Sequence, residues 1–162
     1  MEILKSQEEY FKAVIENAKE SSSVLISSFG LWAGIMSNGY QTKYPCASRD
    51  ALEIIQNNNI YFIVGRPQYI PCDKDKCPHC LEKWKEQCGR IHTTLQGFGI
   101  KYRISDTYHA KYCLFKNGTS IVGGMNFTTS NWTDYMFVSK DKELHKQLEL
   151  EFRKQWGMAK NE

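Results

Sequence analysis

Apolar residues recur along the first third of the chain with the periods of helices and strands. Residues 6–20 repeat them every three to four positions, which predicts an amphipathic helix. Ser6 is followed three residues later by Glu9, the spacing of a capping box, so the helix is expected to begin after Ser6. The β-prone run at 22–29 precedes a glycine and predicts a strand. Residues 50–57 predict a second helix with the aspartate at position 50 as its N-cap.

The remainder of the chain predicts mainly strands, with one long helix at its end. Strands are expected at residues 60–64, 101–104, 108–115, 119–122 and 135–138, and helices at 81–87, 92–96 and 141–156. The dipeptide Asn117-Gly118 lies between two of these strands and is a strong signal for a β-hairpin. The alternation of helices and strands predicts the fold class α/β, with a mixed β-sheet flanked by helices.

One segment differs in composition from the rest. Residues 65–89 hold three of the four prolines and four of the six cysteines, which predicts a cysteine-rich insertion at 66–92 within a single domain spanning 1–162. The four cysteines follow the pattern C-x4-C-x2-C-x7-C and are Cys72, Cys77, Cys80 and Cys88. Four soft ligands in one short segment favour a structural Zn²⁺ over a catalytic one, and His79 or His92 could replace one cysteine.

Composition and charge place the chain among ordinary globular proteins. Hydrophobic residues make up 41% and charged residues 24%, and the net charge of +3 excludes a strongly polybasic nucleic-acid coat. An enzyme needs only a local basic cleft, for which the candidate residues are Lys43, Arg66, Arg90, Lys101, Arg103 and Lys111. The acidic start lacks the features of a signal peptide, and no apolar run approaches the ~20 residues that span a bilayer. We therefore expect a cytoplasmic protein without a membrane anchor.

The residues with the clearest chemical meaning lie in the stretch 109–126. His109 and Lys111 are two positions apart, so on a strand they present an imidazole and an ammonium to the same side. An imidazole can attack phosphorus or transfer a proton near neutral pH, and an adjacent ammonium can hold a phosphate oxygen. The partner strand ends in Gly123 and Gly124, whose backbone N–H groups are expected to approach an anion, and Asn126 can donate a further hydrogen bond. The pattern predicts a phosphate site.

This ordered set of HxK, NG hairpin and GGxN resembles the signature of the phospholipase D superfamily, in which HxK is followed by Asp and then by GSxN. Four residues fall at the positions of the signature: His109, Lys111, Gly123 and Asn126. Two positions depart from it, since Lys116 stands where the family has Asp and Gly124 stands where it has Ser. Asp134 lies near the place of the family's Glu and is predicted to accept a hydrogen bond from the imidazole, which makes it a fourth candidate catalytic residue.

The resemblance implies a mechanism. Members with a single motif form homodimers that bring two motifs together. One His109 would attack phosphorus to form a phosphohistidine, and His109 of the partner subunit would protonate the leaving oxygen and then activate water. Lys111 and Asn126 of both subunits would hold the phosphoryl oxygens, and no catalytic metal would be needed.

The residues are compatible with three hypotheses about the substrate. The first is a nuclease acting on DNA or RNA, with Gly123, Gly124 and Trp132 among the substrate-binding residues. Aromatic side chains could stack on bases, namely those of Trp32, Tyr40, Tyr44 and Trp132. The second is a non-catalytic nucleic-acid-binding protein, suggested by the two departures from the signature. The third is a phospholipase acting on cardiolipin-like lipid, which would want an interfacial anchor that the sequence does not show.

Overall fold

The structure is a computed structural model that describes residues 1–31, 47–66, 78–127 and 134–161. These ranges form, in chain order, β1 (Glu2–Leu4), α1 (Gln7–Lys19), β2 (Ser23–Ser28), α2 (Ala47–Ile55), β3 (Asn59–Gly65), α3 (Pro78–Gly97), β4 (Lys101–Ser105), β5 (Tyr112–Phe115), β6 (Ser120–Gly123), β7 (Met136–Ser139) and α4 (Lys142–Met158).

The strands form one mixed sheet of seven strands in the order β1-β7-β6-β5-β2-β3-β4. β2, β3 and β4 are parallel, while β5, β6, β7 and β1 continue the sheet in antiparallel fashion. The prediction of an α/β fold with a mixed sheet flanked by helices is therefore confirmed.

Alternation along the strands divides the apolar residues between the two faces of the sheet. On β3, Phe62 packs in the larger cluster with α1, α2 and α3, while its neighbour Ile63 packs in a smaller cluster with Phe152 of α4. The run 60–64 is buried almost throughout because both faces are covered, as its continuous apolar sequence predicted. The core thus fixes the register of the central strands, and with it the edge at which they end.

The predicted helix boundaries agree with the structure where a local cap defines them. Ser6 Oγ accepts a hydrogen bond from the backbone N–H of Glu9 at 3.1 Å, so α1 begins where the capping box predicted. The Glu9 carboxylate accepts from the backbone N–H of Lys5. The prediction for α2 was wrong at its start, since the helix begins at Ala47 and Asp50 lies in its first turn.

The structure corrects the prediction of two short helices at 81–87 and 92–96. Both belong to α3, one continuous helix of 20 residues that crosses between the parallel strands β3 and β4. A parallel pair needs such a crossover, so the second part of the cysteine-rich segment is an integral element of the fold. Ile91 and Leu95 of this helix are buried in the larger cluster, which attaches it to the sheet.

The strand that was predicted to contain the HxK pair is shorter than predicted. β5 covers only Tyr112–Phe115, so His109 and Lys111 lie in the irregular segment that leads into it. The expected hairpin is present, because β5 pairs with β6 and Gly118 adopts a positive φ of 88°. β1, a three-residue strand on the edge beside β7, was not predicted.

Candidate active site

The predicted catalytic residues converge on one edge of the sheet. β2 ends there, β5 begins there, β6 ends there and β7 begins there, because neighbours in this part of the sheet are antiparallel. This arrangement brings together the segment containing His109 and Lys111, the segment containing Asn126, and Asp134 just before β7.

Hydrogen bonds hold the HxK segment against the end of β2. Ser27 Oγ, which is buried, donates to the carbonyl of Ala110 at 2.8 Å. The Lys111 ammonium donates to the carbonyl of His109 at 2.9 Å, so the lysine side chain folds back along its own segment. The His109 side chain is exposed and Lys111 is half-buried, which leaves the imidazole accessible to a large substrate.

The imidazole of His109 stacks on the ring of Phe29. The ring centroids are 3.5 Å apart and the planes differ by 18°. Gly65, at the end of the neighbouring β3, makes room for this arrangement: a Cβ atom there would lie 2.1 Å from Phe29 O and 2.6 Å from Phe29 Cδ2. A glycine is therefore required at the end of β3 for Phe29 to occupy its place.

The orientation of the Asn126 amide is set by the end of β2. Its Oδ1 accepts from the backbone N–H of Gly30 at 2.9 Å and lies 3.3 Å from Ser28 Oγ. Ser28 Oγ also accepts from the backbone N–H of Phe127 at 2.6 Å, which holds the segment after β6 in place. Because Oδ1 is occupied, Nδ2 is the amide atom that faces away from these donors and can donate to a ligand.

The two glycines of the GGxN stretch have a different role from the one predicted. The N–H of Gly123 donates to Lys111 O at 3.2 Å, and the N–H of Gly124 donates to Tyr135 O at 3.0 Å. Both groups are used within the sheet, so they do not provide the expected anion-binding donors. The glycines instead permit close approach of β7, since a Cβ on Gly123 would lie 2.2 Å from Tyr135 O.

Asp134 lies directly over Gly124. A Cβ on Gly124 would be 1.9 Å from Asp134 Oδ2 and 2.6 Å from Oδ1, so the carboxylate occupies the space that a side chain at position 124 would need. Its Oδ1 accepts from the backbone N–H of Tyr135 at 2.7 Å. Among the contacts of the described residues, none joins Asp134 to His109, so the hydrogen bond predicted between them is not made in this structure.

Lys116 lies at the opposite end of β5 from the candidate site. It belongs to the hairpin loop, and its N–H donates to Ser23 O at the start of β2. It is five positions from Lys111 along an extended chain, about 17 Å at roughly 3.3 Å per position. The departure from the signature at this position therefore lies away from the candidate site.

Two of the residues predicted to line a basic cleft, Lys111 and Arg66, lie at the same edge of the sheet as the candidate site. Arg66 follows β3, and its Nε donates to Asp106 Oδ1 at 2.7 Å, which holds the pKa of that carboxyl below its usual range. Lys101 begins β4 at the other end of the sheet and lies over the ring of Tyr61. The remaining cations lie elsewhere: Arg90 pairs with Glu86 on α3, Arg103 lies over Trp156, and Lys43 is outside the described residues.

The predicted zinc ligands are only partly described. Cys72 and Cys77, like Trp32, Tyr40, Tyr44 and Trp132, lie outside the described residues, while Cys80 and Cys88 are both on α3. They are eight positions apart on the helix, which separates their Cα atoms by about 12 Å, whereas two sulfurs that share one zinc each lie about 2.3 Å from the ion. The intact helix thus keeps these two cysteines from binding the same ion. Within the described ranges, His, Cys, Asp and Glu side chains form no group of three that could hold a metal.

Sequence reasoning missed the residues that organise the site. Ser27, Ser28, Phe29 and Gly30, at the end of β2, contact the HxK segment, Asn126 and the segment after it. They are some 80 to 100 positions away in the chain, as the separation of 83 between Ser27 and Ala110 illustrates. The polar pair Ser27-Ser28 in an otherwise apolar strand was the available signal.

Comparison with known proteins identifies relatives of the fold. The family model described as "Cardiolipin synthase, PLD-like domain" matches residues 11–156. Nuc from Salmonella typhimurium, described as a phospholipase D family member, superposes with a TM-score of 0.67 at 12% identity, covering 99% of this chain and 96% of that one. NucT from Helicobacter pylori gives 0.60 at 12% identity, covering 98% and 96%. TrmBL2, an archaeal chromatin protein, gives 0.54 at 11% identity and covers 98% of this chain and 52% of that one. No curated protein sequence matches the chain.

The fold and the site thus define a phosphodiesterase-type domain. The chain belongs to the phospholipase D-like family, whose model matches it over most of its length. None of the helices in the described part of the chain has the length and apolar character needed to cross a membrane.

Proposed function

We propose that this protein is a nuclease that hydrolyses phosphodiester bonds of DNA or RNA through a covalent intermediate on His109. The observation that carries the proposal is the convergence of His109, Lys111 and Asn126 on one edge, with the Asn126 amide oriented by Gly30. An imidazole nucleophile, an ammonium and an amide donor are together the groups that in-line attack on phosphorus requires.

In the first step, a ring nitrogen of His109 attacks phosphorus and the bond to the leaving oxygen breaks. Lys111 and the Nδ2 of Asn126 stabilise the charge on the non-bridging oxygens. The leaving oxygen takes a proton from a second imidazole. In the second step, that imidazole removes a proton from water, the water oxygen attacks phosphorus, and the phosphorus–nitrogen bond breaks.

The need for a second imidazole supports a homodimer. His109 is exposed at this edge, where a second copy of the chain can bring its own His109 alongside. In the proposed dimer, His109 of the partner subunit supplies the acid and base. The single signature in this chain is the feature that motivates the assembly.

Three features support nucleic acid as the substrate. The His109 side chain is exposed, the cation Arg66 follows the next strand, and TrmBL2, which shares the fold, is described as binding DNA. In the proposal, Trp132, which is two positions before Asp134 in the sequence, stacks on a base. Asp134 serves as the site carboxylate, and Gly124 contributes to substrate binding by admitting that carboxylate.

The proposal includes a structural zinc ion bound by Cys72, Cys77 and Cys80. Cys77 immediately precedes α3 and Cys80 lies in its first turn. This placement suits a zinc knuckle at the start of the helix. Because the helix separates Cys80 from Cys88, we exclude Cys88 from this ligand set and keep His79 as the candidate fourth ligand. Native mass spectrometry tests the assignment: Cys80→Ser should lose the ion and Cys88→Ser should retain it.

The activity is tested with the purified chain and labelled single- and double-stranded DNA and RNA in EDTA. We expect cleavage that survives chelation and disappears in His109→Ala, while Lys140→Ala, an exposed lysine after β7, cleaves normally. Binding without cleavage by both the native chain and His109→Ala would instead indicate a non-catalytic nucleic-acid-binding protein. Hydrolysis of cardiolipin vesicles with no cleavage of nucleic acid would indicate a phospholipase, which the family description also accommodates.

A further inference from the structure

We infer that Phe29 is a positioning residue for His109, and this inference rests on the proposed function. The phenyl ring covers one face of the imidazole at 3.5 Å and 18°. The lone pair of an imidazole nitrogen lies in the ring plane, so fixing that plane fixes the direction from which the nitrogen can reach phosphorus. Phe29 is the neighbour among the described residues that contacts the face of this ring.

An exposed histidine side chain without such a contact would sample several rotamers. His109 is exposed, and its side chain makes no hydrogen bond among the described residues, so the stack is what restrains the plane of its ring. A stacked aromatic contact raises the equilibrium constant for the stacked arrangement by a factor of about 2 to 12. Removing the phenyl ring should lower the aligned fraction of His109, and therefore the rate of attack, by a factor in this range.

Phe29 is itself held by a rigid surrounding. Its carbonyl and ring abut Gly65 so closely that no Cβ fits there, and the next residue, Gly30, is bound through its N–H to Asn126. The ring therefore has little freedom to follow a displaced imidazole. Through this short segment the position of the nucleophile is linked to the position of the amide donor.

The test compares Phe29→Leu, which keeps an apolar side chain without a flat face, with Phe29→Tyr, which keeps the ring. Phe98→Leu is the matched control, because Phe98 is also a half-buried phenylalanine but lies at the end of α3, away from the site. Each protein is measured for single-turnover cleavage, for substrate affinity and for the NMR signals of the His109 ring protons, assigned by their loss in His109→Asn.

We expect Phe29→Leu to cleave about 2 to 12 times more slowly at unchanged affinity, and its His109 ring protons to lose the upfield shift that the phenyl face causes. Phe29→Tyr should restore most of the rate, and Phe98→Leu should leave the rate and the His109 signals unchanged. Equal rates in Phe29→Leu and the native chain, or His109 signals that do not move, would overturn the inference. If the native chain cleaves no nucleic acid, the proposed function fails, and the NMR signals still decide whether Phe29 holds the imidazole.

Discussion

Replacing Gly124 by serine restores the residue that the family signature has at this position, and we predict that it damages the site. The new Cβ would lie 1.9 Å from Asp134 Oδ2, whereas ordinary contact begins at 3.4 Å. The carboxylate must therefore move by about 1.5 Å, the difference between these two distances. Because the Asp134 side chain is exposed and can rotate, its carboxylate can turn into solvent with little loss of stability.

The expected consequence is a loss of rate with little loss of stability. A displacement of this size at a catalytic site can lower the rate by about 10- to 100-fold. The free energy of unfolding should change by no more than about 0.5 kcal/mol, as for other surface substitutions. Gly97→Ser is the matched control, since a Cβ on Gly97 meets nothing within 4 Å.

The assay is a double-mutant cycle with Gly124→Ser, Asp134→Ala and the combined variant, measured by single-turnover cleavage and thermal unfolding. If serine acts by displacing Asp134, the combined variant should be no slower than the slower single variant, because the carboxylate can be lost only once. This reasoning would be refuted if the free-energy costs of the two single substitutions on cleavage added fully in the combined variant. It would also be refuted if Gly124→Ser cleaved at least as fast as the native chain. The second result would mean that the serine hydroxyl contributes a phosphate contact that Asp134 does not replace.

Three further substitutions test separate parts of the account. Lys116→Asp, which restores the family's acid, should change the cleavage rate less than about twofold, because the residue is roughly 17 Å from Lys111; a tenfold change would contradict the geometry. Gly65→Ala should destabilise the protein by about 1–3 kcal/mol in thermal unfolding, because its Cβ would clash with backbone atoms of Phe29 that cannot swing aside. Gly89→Ala, which meets no atom, is the control for Gly65→Ala, and equal stability of the two would refute the clash. Ser28→Ala leaves a buried backbone N–H without its acceptor, so we expect a loss of about 1–3 kcal/mol and slower cleavage; unchanged unfolding would show that the bond contributes nothing.

The elements that the sequence predicts well are those with local causes. Ser6 caps α1 through a residue three positions away, and Asn117-Gly118 closes the hairpin with Gly118 in a left-handed conformation. The continuous apolar run that became β3 also indicated burial on both faces. Each of these signals depends on neighbours in the chain, which a single sequence displays directly.

The features that were missed depend on contacts distant in sequence. The pairing of β5 with β2 leaves His109 and Lys111 before the strand, so their relation is set by Ser27 and the Ala110 carbonyl rather than by strand alternation. The same holds for β1, which forms a strand only because β7 offers it an edge.

The glycine pair shows why residue type alone did not predict the site's donors. Gly123 and Gly124 were expected to turn their N–H groups to an anion, but the strand pairing uses both groups. What the glycines provide is space, for the β7 backbone in one case and for the Asp134 carboxylate in the other. That space is a property of the assembled sheet and has no signature in the local sequence.

The central claim is that His109 forms a covalent bond to phosphorus, and trapping that intermediate tests it most directly. The native chain is mixed in EDTA with DNA or RNA radiolabelled in its internal phosphates and quenched in alkali within the first turnover, before gel analysis of the protein. The phosphorus bound to the protein then keeps its label even where alkali degrades the RNA chain. The account predicts a labelled protein whose adduct is stable in alkali and lost in acid, as expected for a phosphorus–nitrogen bond, with the label mapping to His109 and absent from His109→Ala. Cleavage without any labelled protein, or a label on another residue, would contradict it.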